Sequence, residues 1–245
     1  MATESKTASS MAETVGRACW SCGAPRAAEF CTNCGKVQPP QSVDYFTFFG
    51  LPRKLSIDVV LLQRKFYELS RKLHPDLYGQ ANKQEQEWSL EQSSLLNDAY
   101  RTLKDPIKRT EYLLRLEGVE LEEQSKKATE TARDSGEIKK QVVPPDLLEE
   151  VFELNMQLEE LRMNRKMGED DPGLISELDA HKTEFENKFE ALTQELKQYW
   201  DQWDRLVDVD QEEKRRQVRD KMVDVLNRRN YIRNLVRDVN EALGN

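Results

Sequence analysis

Apolar side chains return at steps of three and four over most of this chain, and that rhythm leaves little choice of fold. Val59, Leu62, Phe66, Leu69 and Leu73 make one such row, and Leu96, Ala99, Tyr100 and Leu103 make a second. Leu147, Val151, Leu154, Leu158 and Leu161 make a third. The fourth runs through Leu174, Leu178, His181, Phe185, Phe189, Leu192, Leu196, Trp200 and Trp203, and the fifth through Val218, Met222, Val225, Ile232, Val236, Val239 and Leu243. A period near 3.6 puts each row on one side of an α-helix, so the expected fold class is all-α. With 33% charged residues in a chain of 245, several small helical units are expected rather than one large core.

The stop signals divide these helices into two groups. Asp105-Pro106 closes a helix expected over Lys83–Lys104, and a shorter one, Ile107 to Leu116, follows. Residues 119–145, rich in Glu, Lys and Thr and ending in Pro144-Pro145, read as a mobile interdomain segment. Beyond them, turns at Gly168–Gly173 and around Asp208-Val209-Asp210 separate three long amphipathic helices, which implies an antiparallel three-helix bundle over 146–245. Beside the third row runs another, Leu148, Phe152 and Met156, at steps of four. It either widens the buried face or forms an exposed apolar patch that binds a partner.

His74-Pro75-Asp76 interrupts the first group. Proline disfavours the α conformation in the residue before it, so the helix should end near His74 and leave the imidazole and Asp76 on a loop. The loop then joins two antiparallel helices. Arg64, Lys65, Arg71 and Lys72 lie off the apolar row just upstream, on a side that reads as solvated. Asp44 caps a short aromatic segment, Tyr45 to Phe49, which can cover the open end of this hairpin.

All four cysteines fall in two C-x2-C pairs, Cys19/Cys22 and Cys31/Cys34, each followed by glycine. Two such turns supply the tetrahedral four-thiolate shell that suits Zn2+, with iron as the competing metal. Four cysteines leave no exchangeable position, so the site is structural rather than catalytic. A module of about 40 residues buries little core, and the metal would carry most of its stability. Residues 19–42 are this module and a stiff polar linker, Val37 to Ser42. Residues 1–18 read as a disordered tail or a targeting segment, with Glu4 and Glu13 arguing against a presequence.

Several function classes are disfavoured. Residues 119–245 carry 21 basic and 31 acidic groups, and no basic arm offsets them, so nucleic acid is an improbable partner. No apolar run approaches 18 residues, so no membrane span is expected. There is no glycine-rich phosphate loop, no recognisable carboxylate pair and only two histidines, so the chain does not read as an enzyme.

Residues 43–118 resemble the J domain, which activates the ATPase of DnaK-type heat-shock chaperones. The resemblance rests on Val43-Asp44-Tyr45-Phe46 with Gly50-Leu51, the basic helix, His74-Pro75-Asp76 and Asn97-Asp98-Ala99-Tyr100-Arg101-Thr102-Leu103. Arg109-Thr110-Glu111-Tyr112-Leu113-Leu114, the three-helix carboxy-terminal part and the four-cysteine module extend it to the HscB branch, the J proteins dedicated to iron–sulfur cluster transfer. The resemblance implies that Arg64, Lys65, Arg71 and Lys72 dock on the chaperone while His74, Pro75 and Asp76 reach its interdomain linker. It also implies that the bundle grips an IscU-type scaffold through Leu148, Glu149, Phe152, Glu153, Met156 and Tyr231. Leu77 departs from the lysine common after the motif, Glu149 from an aliphatic residue and Met156 from an acid. The implied location is the mitochondrial matrix, with a cytoplasmic pool left open by the weak presequence. The alternative function is a general J protein delivering unfolded clients. Homo-oligomerisation through the four-cysteine module is left open.

Overall fold

The computed structural model of the protein describes residues 18–25, 29–119, 121, 143–169, 171–209 and 211–244. The tail expected over 1–18, apart from Ala18, and nearly all of the segment expected over 119–145 lie outside these residues. Among the described residues the fold is all-α, with two isolated bridges, Ala18 to Pro25 and Phe30 to Val37, inside the cysteine module. The helices are α1 (Tyr45–Phe48), α2 (Val59–Leu73), α3 (Lys83–Lys104), α4 (Pro106–Leu116), α5 (Leu148–Met167), α6 (Pro172–Leu206) and α7 (Glu212–Leu243), with short 3-10 turns at Pro75–Tyr78 and Pro145–Leu147. They belong to two compact units: one holds the described residues up to Arg53 with Ile57–Arg109, the other Lys54–Ser56 with Thr110 onward.

In the first unit α2 and α3 pair as a hairpin, and the ends of each are fixed by the local sequence. The Asp58 carboxylate accepts the amides of Val60 and Leu61 at the start of α2. Asn82 accepts the Glu85 amide at the start of α3, while the Glu85 side chain accepts from Asn82 in return. Leu62, Leu73, Leu96, Ala99 and Leu103 form the seam, and Phe46, Phe48 and Phe49 close its end as expected. Phe66 stacks on Tyr100 with ring centroids 4.2 Å apart. Each fully buried Leu or Phe of this seam stabilises the unit by about 1.5–3 kcal/mol relative to exposure. Val59, expected at the head of the buried row, is exposed, so the seam begins at Leu62.

The stretch expected as a polar linker is packed at its start: Val37 and Gln38 are fully buried. The Gln38 side-chain nitrogen donates to the Lys36 carbonyl at 2.9 Å, and its backbone carbonyl accepts from Gln92 at 2.6 Å, which offsets part of the cost of its burial.

In the second unit α6 and α7 form the main antiparallel pair, with α5 packed against both. Gly168, in the left-handed conformation at φ 75°, ends α5 by donating its amide to the Arg165 carbonyl. Asp171 then caps α6, whose first residue is Pro172. The core joins Leu147, Val151, Leu154, Leu158 and Leu161 of the third row to Leu174, Leu178 and Phe185 of α6 and Ile232 and Val239 of α7. Tyr231 and Leu235, which the sequence leaves beside the main row of α7, also belong to this core. Helix α7 is packed by two neighbours, so its buried face is wider than one row.

Candidate functional site

Helix α2 ends at Leu73, as the proline requires, but the residues after it form one 3-10 turn rather than an open loop. His74 caps that turn. Its Nδ1 accepts the Asp76 amide at 3.4 Å, its carbonyl accepts the Leu77 amide at 3.0 Å, and the Tyr78 hydroxyl donates to the Lys72 carbonyl at 2.9 Å. The turn therefore has a defined shape while its chemistry faces outward: the Asp76 side chain is 88% exposed and lies 3.5 Å from His74 Nδ1. A cleft of about 360 Å³ opens beside it, lined by Ser70, His74, Pro75, Leu90, Ser93 and Asn97 among others. Leu77 is exposed at the same end.

The four basic residues upstream separate into two kinds. Arg64, Arg71 and Lys72 are exposed. Lys65 is not part of that face, because its ammonium turns back to the carbonyls of Phe49 and Gly50 at 2.7 and 3.3 Å. There it satisfies the carbonyl end of α1, which has no further helical amides to accept. The exposed row of α2 instead reads Val60, Arg64, Tyr67, Arg71, alternating apolar and basic groups at helical spacing up to His74.

The four cysteines are brought together as the spacing demands. Cys19 Sγ lies 3.6 Å from Cys34 Sγ and Cys22 Sγ 3.6 Å from Cys31 Sγ, and all four lie within 4.8 Å of one another. A tetrahedral shell with metal–sulfur bonds near 2.3 Å has edges of about 3.8 Å, so the donor set fits a metal ion. Gly23 and Gly35, both at φ 71°, close the two turns by donating their amides to the Cys19 and Cys31 carbonyls at 2.9 Å. Cys19 and Cys31 are buried and Cys22 and Cys34 exposed. Burial opposes ionisation of Cys19, but the Cys22 and Ser21 amides and the neighbouring thiols outweigh it and bring its pKa down to about 6. The Lys36 amide favours the Cys34 thiolate, yet local desolvation of its sulfur and bonds to the other three thiols push that group up to about 11. One cluster thus holds both a readily ionised thiol and a reluctant one, as expected where several interacting thiols share protons. Polar hydrogens also point at the sulfurs, from Ser21 and Gln38 to Cys19 at 3.4 Å and from Asn33 to Cys22 at 3.6 Å.

On α5, Leu148, Phe152 and Met156 are 53%, 68% and 59% exposed, so the second row is an apolar patch and not a wider core. Glu149 and Glu153 lie exposed beside it. Tyr231 does not join this patch: it is 4% exposed and packed in the core of the bundle.

A match to the DnaJ domain family covers residues 44–112, from the α1 cap to α4. The mouse protein named "Iron-sulfur cluster co-chaperone protein HscB" is 35% identical over 157 residues, 62% of this chain and 61% of its own length. An Arabidopsis thaliana homologue of the same description is 38% identical over 146 residues, 59% of this chain and 52% of that protein. The crystal structure of human co-chaperone protein HscB shares the fold, with a TM-score of 0.57 at 23% identity over 91% of this chain and 97% of that one. The chain thus carries a DnaJ domain and is similar to HscB co-chaperones in sequence and fold. It spans 61% and 52% of the length of the two curated relatives.

Two features of the structure were not singled out from the sequence. Met163 and Met167 are exposed and continue the line of Leu148, Phe152 and Met156 towards the end of α5. Their spacing of seven and eleven from Met156 was the available signal, hidden by Glu159 and Glu160 between them. Ser89 and Ser93, one turn apart on α3, both donate to the Leu73 carbonyl at 2.7 Å. A serine pair inside a helix carries no sequence signature of that role.

Proposed function

We propose that this J-domain protein is an HscB-type co-chaperone that binds an IscU-type iron–sulfur scaffold and stimulates the ATPase of a DnaK-type chaperone, promoting cluster transfer. The observation that carries this reading is that one chain displays two outward-facing features: the structured His74-Pro75-Asp76 turn and the exposed α5 patch flanked by Glu149 and Glu153. Neither is needed for its own core, and each has the character of a contact surface.

The α2 face, with Arg64, Arg71 and Lys72, steers the chain to an acidic surface of the chaperone, an attraction that weakens with salt. Val60 and Tyr67 add apolar contact within the same row. Docking brings the turn, with Asp76 foremost, to the chaperone's interdomain linker. Hydrolysis is the partner's chemistry, and His74 and Asp76 act as contact groups. On the other unit Leu148, Phe152 and Met156 bury against the scaffold, with Glu149 and Glu153 meeting basic groups at the rim. Cys19, Cys22, Cys31 and Cys34 hold Zn2+, which supplies a structural crosslink and no reactive position. The site of action is the mitochondrial matrix.

The deciding experiment measures the chaperone's ATPase rate with and without this protein, each with and without scaffold. Stimulation that rises further with scaffold is expected; a rate indifferent to this protein overturns the reading. A pull-down of scaffold against an unfolded model client separates a dedicated role from general client delivery. Metal analysis with an absorption spectrum separates zinc, which leaves the visible region empty, from iron.

A further inference from the structure

The cysteine module does not end at its own sulfurs. Three contacts tie it to the first half of α3, at positions 85, 88 and 92 on one side of the helix. The Lys36 ammonium meets the Glu85 carboxylate at 2.8 Å, where the Glu85 side chain is buried. The Trp20 ring packs edge-on against Trp88 with centroids 5.7 Å apart, and its indole nitrogen donates to the Val37 carbonyl at 2.7 Å. Gln38, fully buried, donates from its side chain to Cys19 Sγ and accepts on its backbone carbonyl from Gln92, itself buried.

The same stretch of α3 also holds the end of α2. Leu73 is the last helical residue before His74, and the amide that would serve its carbonyl, that of Leu77, donates to His74 instead. The Ser89 and Ser93 hydroxyls take its place. A line of direct contacts therefore runs from a cysteine sulfur through Gln38 and Gln92 to α3, and from α3 to Leu73, the residue just before the His-Pro-Asp turn.

We propose that the metal-loaded cysteine module holds the amino-terminal half of α3 and, through it, the anchorage of the His-Pro-Asp turn, with Gln38 and Gln92 as the positioning residues that make the connection. So short a module cannot keep its shape by core burial, and four unligated thiols do not fix its two turns relative to each other. Without the metal, Lys36, Trp20 and Gln38 lose their fixed places, so the buried Glu85 carboxylate loses its cation and the Gln92 amide loses its acceptor. A buried group left unpaired is costly, so this part of α3 opens. The Leu73 carbonyl then loses the two serines, and the turn after it loosens. The proposal rests on the reading of the module as a metal site, not on the identity of the chaperone or the scaffold.

The test is amide hydrogen exchange on the full chain, loaded with zinc at a measured stoichiometry, stripped by a chelator under reducing conditions and reloaded. Exchange across Glu85–Ser93 and at Asp76 and Leu77 is expected to speed up on the order of tenfold or more on stripping and to recover with zinc. In the zinc-loaded chain Gln92→Met, which keeps the volume but removes the donor, should speed the same amides. Ser89→Ala with Ser93→Ala should speed only those of the turn. A chain that takes up no zinc overturns the metal reading and the proposal together. A chain that takes up zinc with unchanged exchange overturns the proposal alone, and so does a Gln92→Met variant that exchanges like the parent, since packing would then suffice.

Discussion

The ammonium of Lys65 sits 2.7 Å from the carbonyl oxygen of Phe49, inside the chain's own surface rather than on the basic face of α2. A hydrogen bond to a charged group typically contributes about 1.5–3 kcal/mol, less where water competes, so Lys65→Ala should lower the stability of the first unit by about 1 kcal/mol. It should leave the salt dependence of chaperone docking unchanged. Arg64→Ala with Arg71→Ala should do the reverse, keeping the melting temperature and flattening the salt dependence. Thermal melts paired with ATPase titrations at two ionic strengths check both halves.

The Asp76 side chain is exposed and lies against His74, so Asp76→Asn should fold as the parent does. The substitution keeps the shape and removes the charge. ATPase stimulation should be lost while scaffold binding is retained. Near-normal stimulation would sink the contact-loop mechanism.

Where sequence and structure agree, the signals are repeated or rigid. The period of the apolar rows, the proline after His74 and the paired cysteine spacings each admit few geometries, and α3 has the bounds expected, with its end at the Asp-Pro stop. Where they part, the deciding partner is remote in the chain. Lys65 looks like any surface lysine until α1 folds beneath it. Val37 and Gln38 read as linker because Gln92, which makes their burial affordable, is 54 positions from Gln38. Tyr231 lies to one side of the main row of α7, and only the second neighbour on that helix makes its side a buried one. The exposure of Leu148, Phe152 and Met156 could not be derived from periodicity, since an apolar row fits a core equally well.

Asp44 gives the first unit a pH dependence with a definite sign. Burial tends to raise its pKa, but the Thr47 hydroxyl and amide and the Arg53 guanidinium outweigh this, and the folded value lies below the usual one. A carboxyl whose pKa is depressed on folding adds stability that is complete above the unfolded value, near 3.9, and is lost as pH falls through the folded value. Urea midpoints should therefore drop below about pH 4 more steeply in the parent than in Asp44→Asn, which still caps α1 but has no charge to lose. Equal slopes would show that the carboxylate contributes nothing specific.

The α5 patch and Tyr231 make opposite predictions within one bundle. Leu148→Ala with Phe152→Ala removes side chains that are more than half exposed, so helicity and melting should change little while scaffold affinity falls. Tyr231→Ala empties a core position and should cost about 3–5 kcal/mol by the range for large aromatic truncations, enough to lower the melting temperature by several degrees. Met163→Ala with Met167→Ala is the informative intermediate. Both side chains are exposed along the continuation of the patch, so these substitutions too should leave melting in place. If the scaffold spans the whole of α5 they weaken its binding, whereas unchanged affinity confines the contact to the half of the helix that carries Glu149 and Glu153. Isothermal titration of scaffold into each variant, set beside its melting curve, separates surface from core. A sharp fall in stability for the Leu148 and Phe152 pair would mean that this row serves the bundle and not a partner.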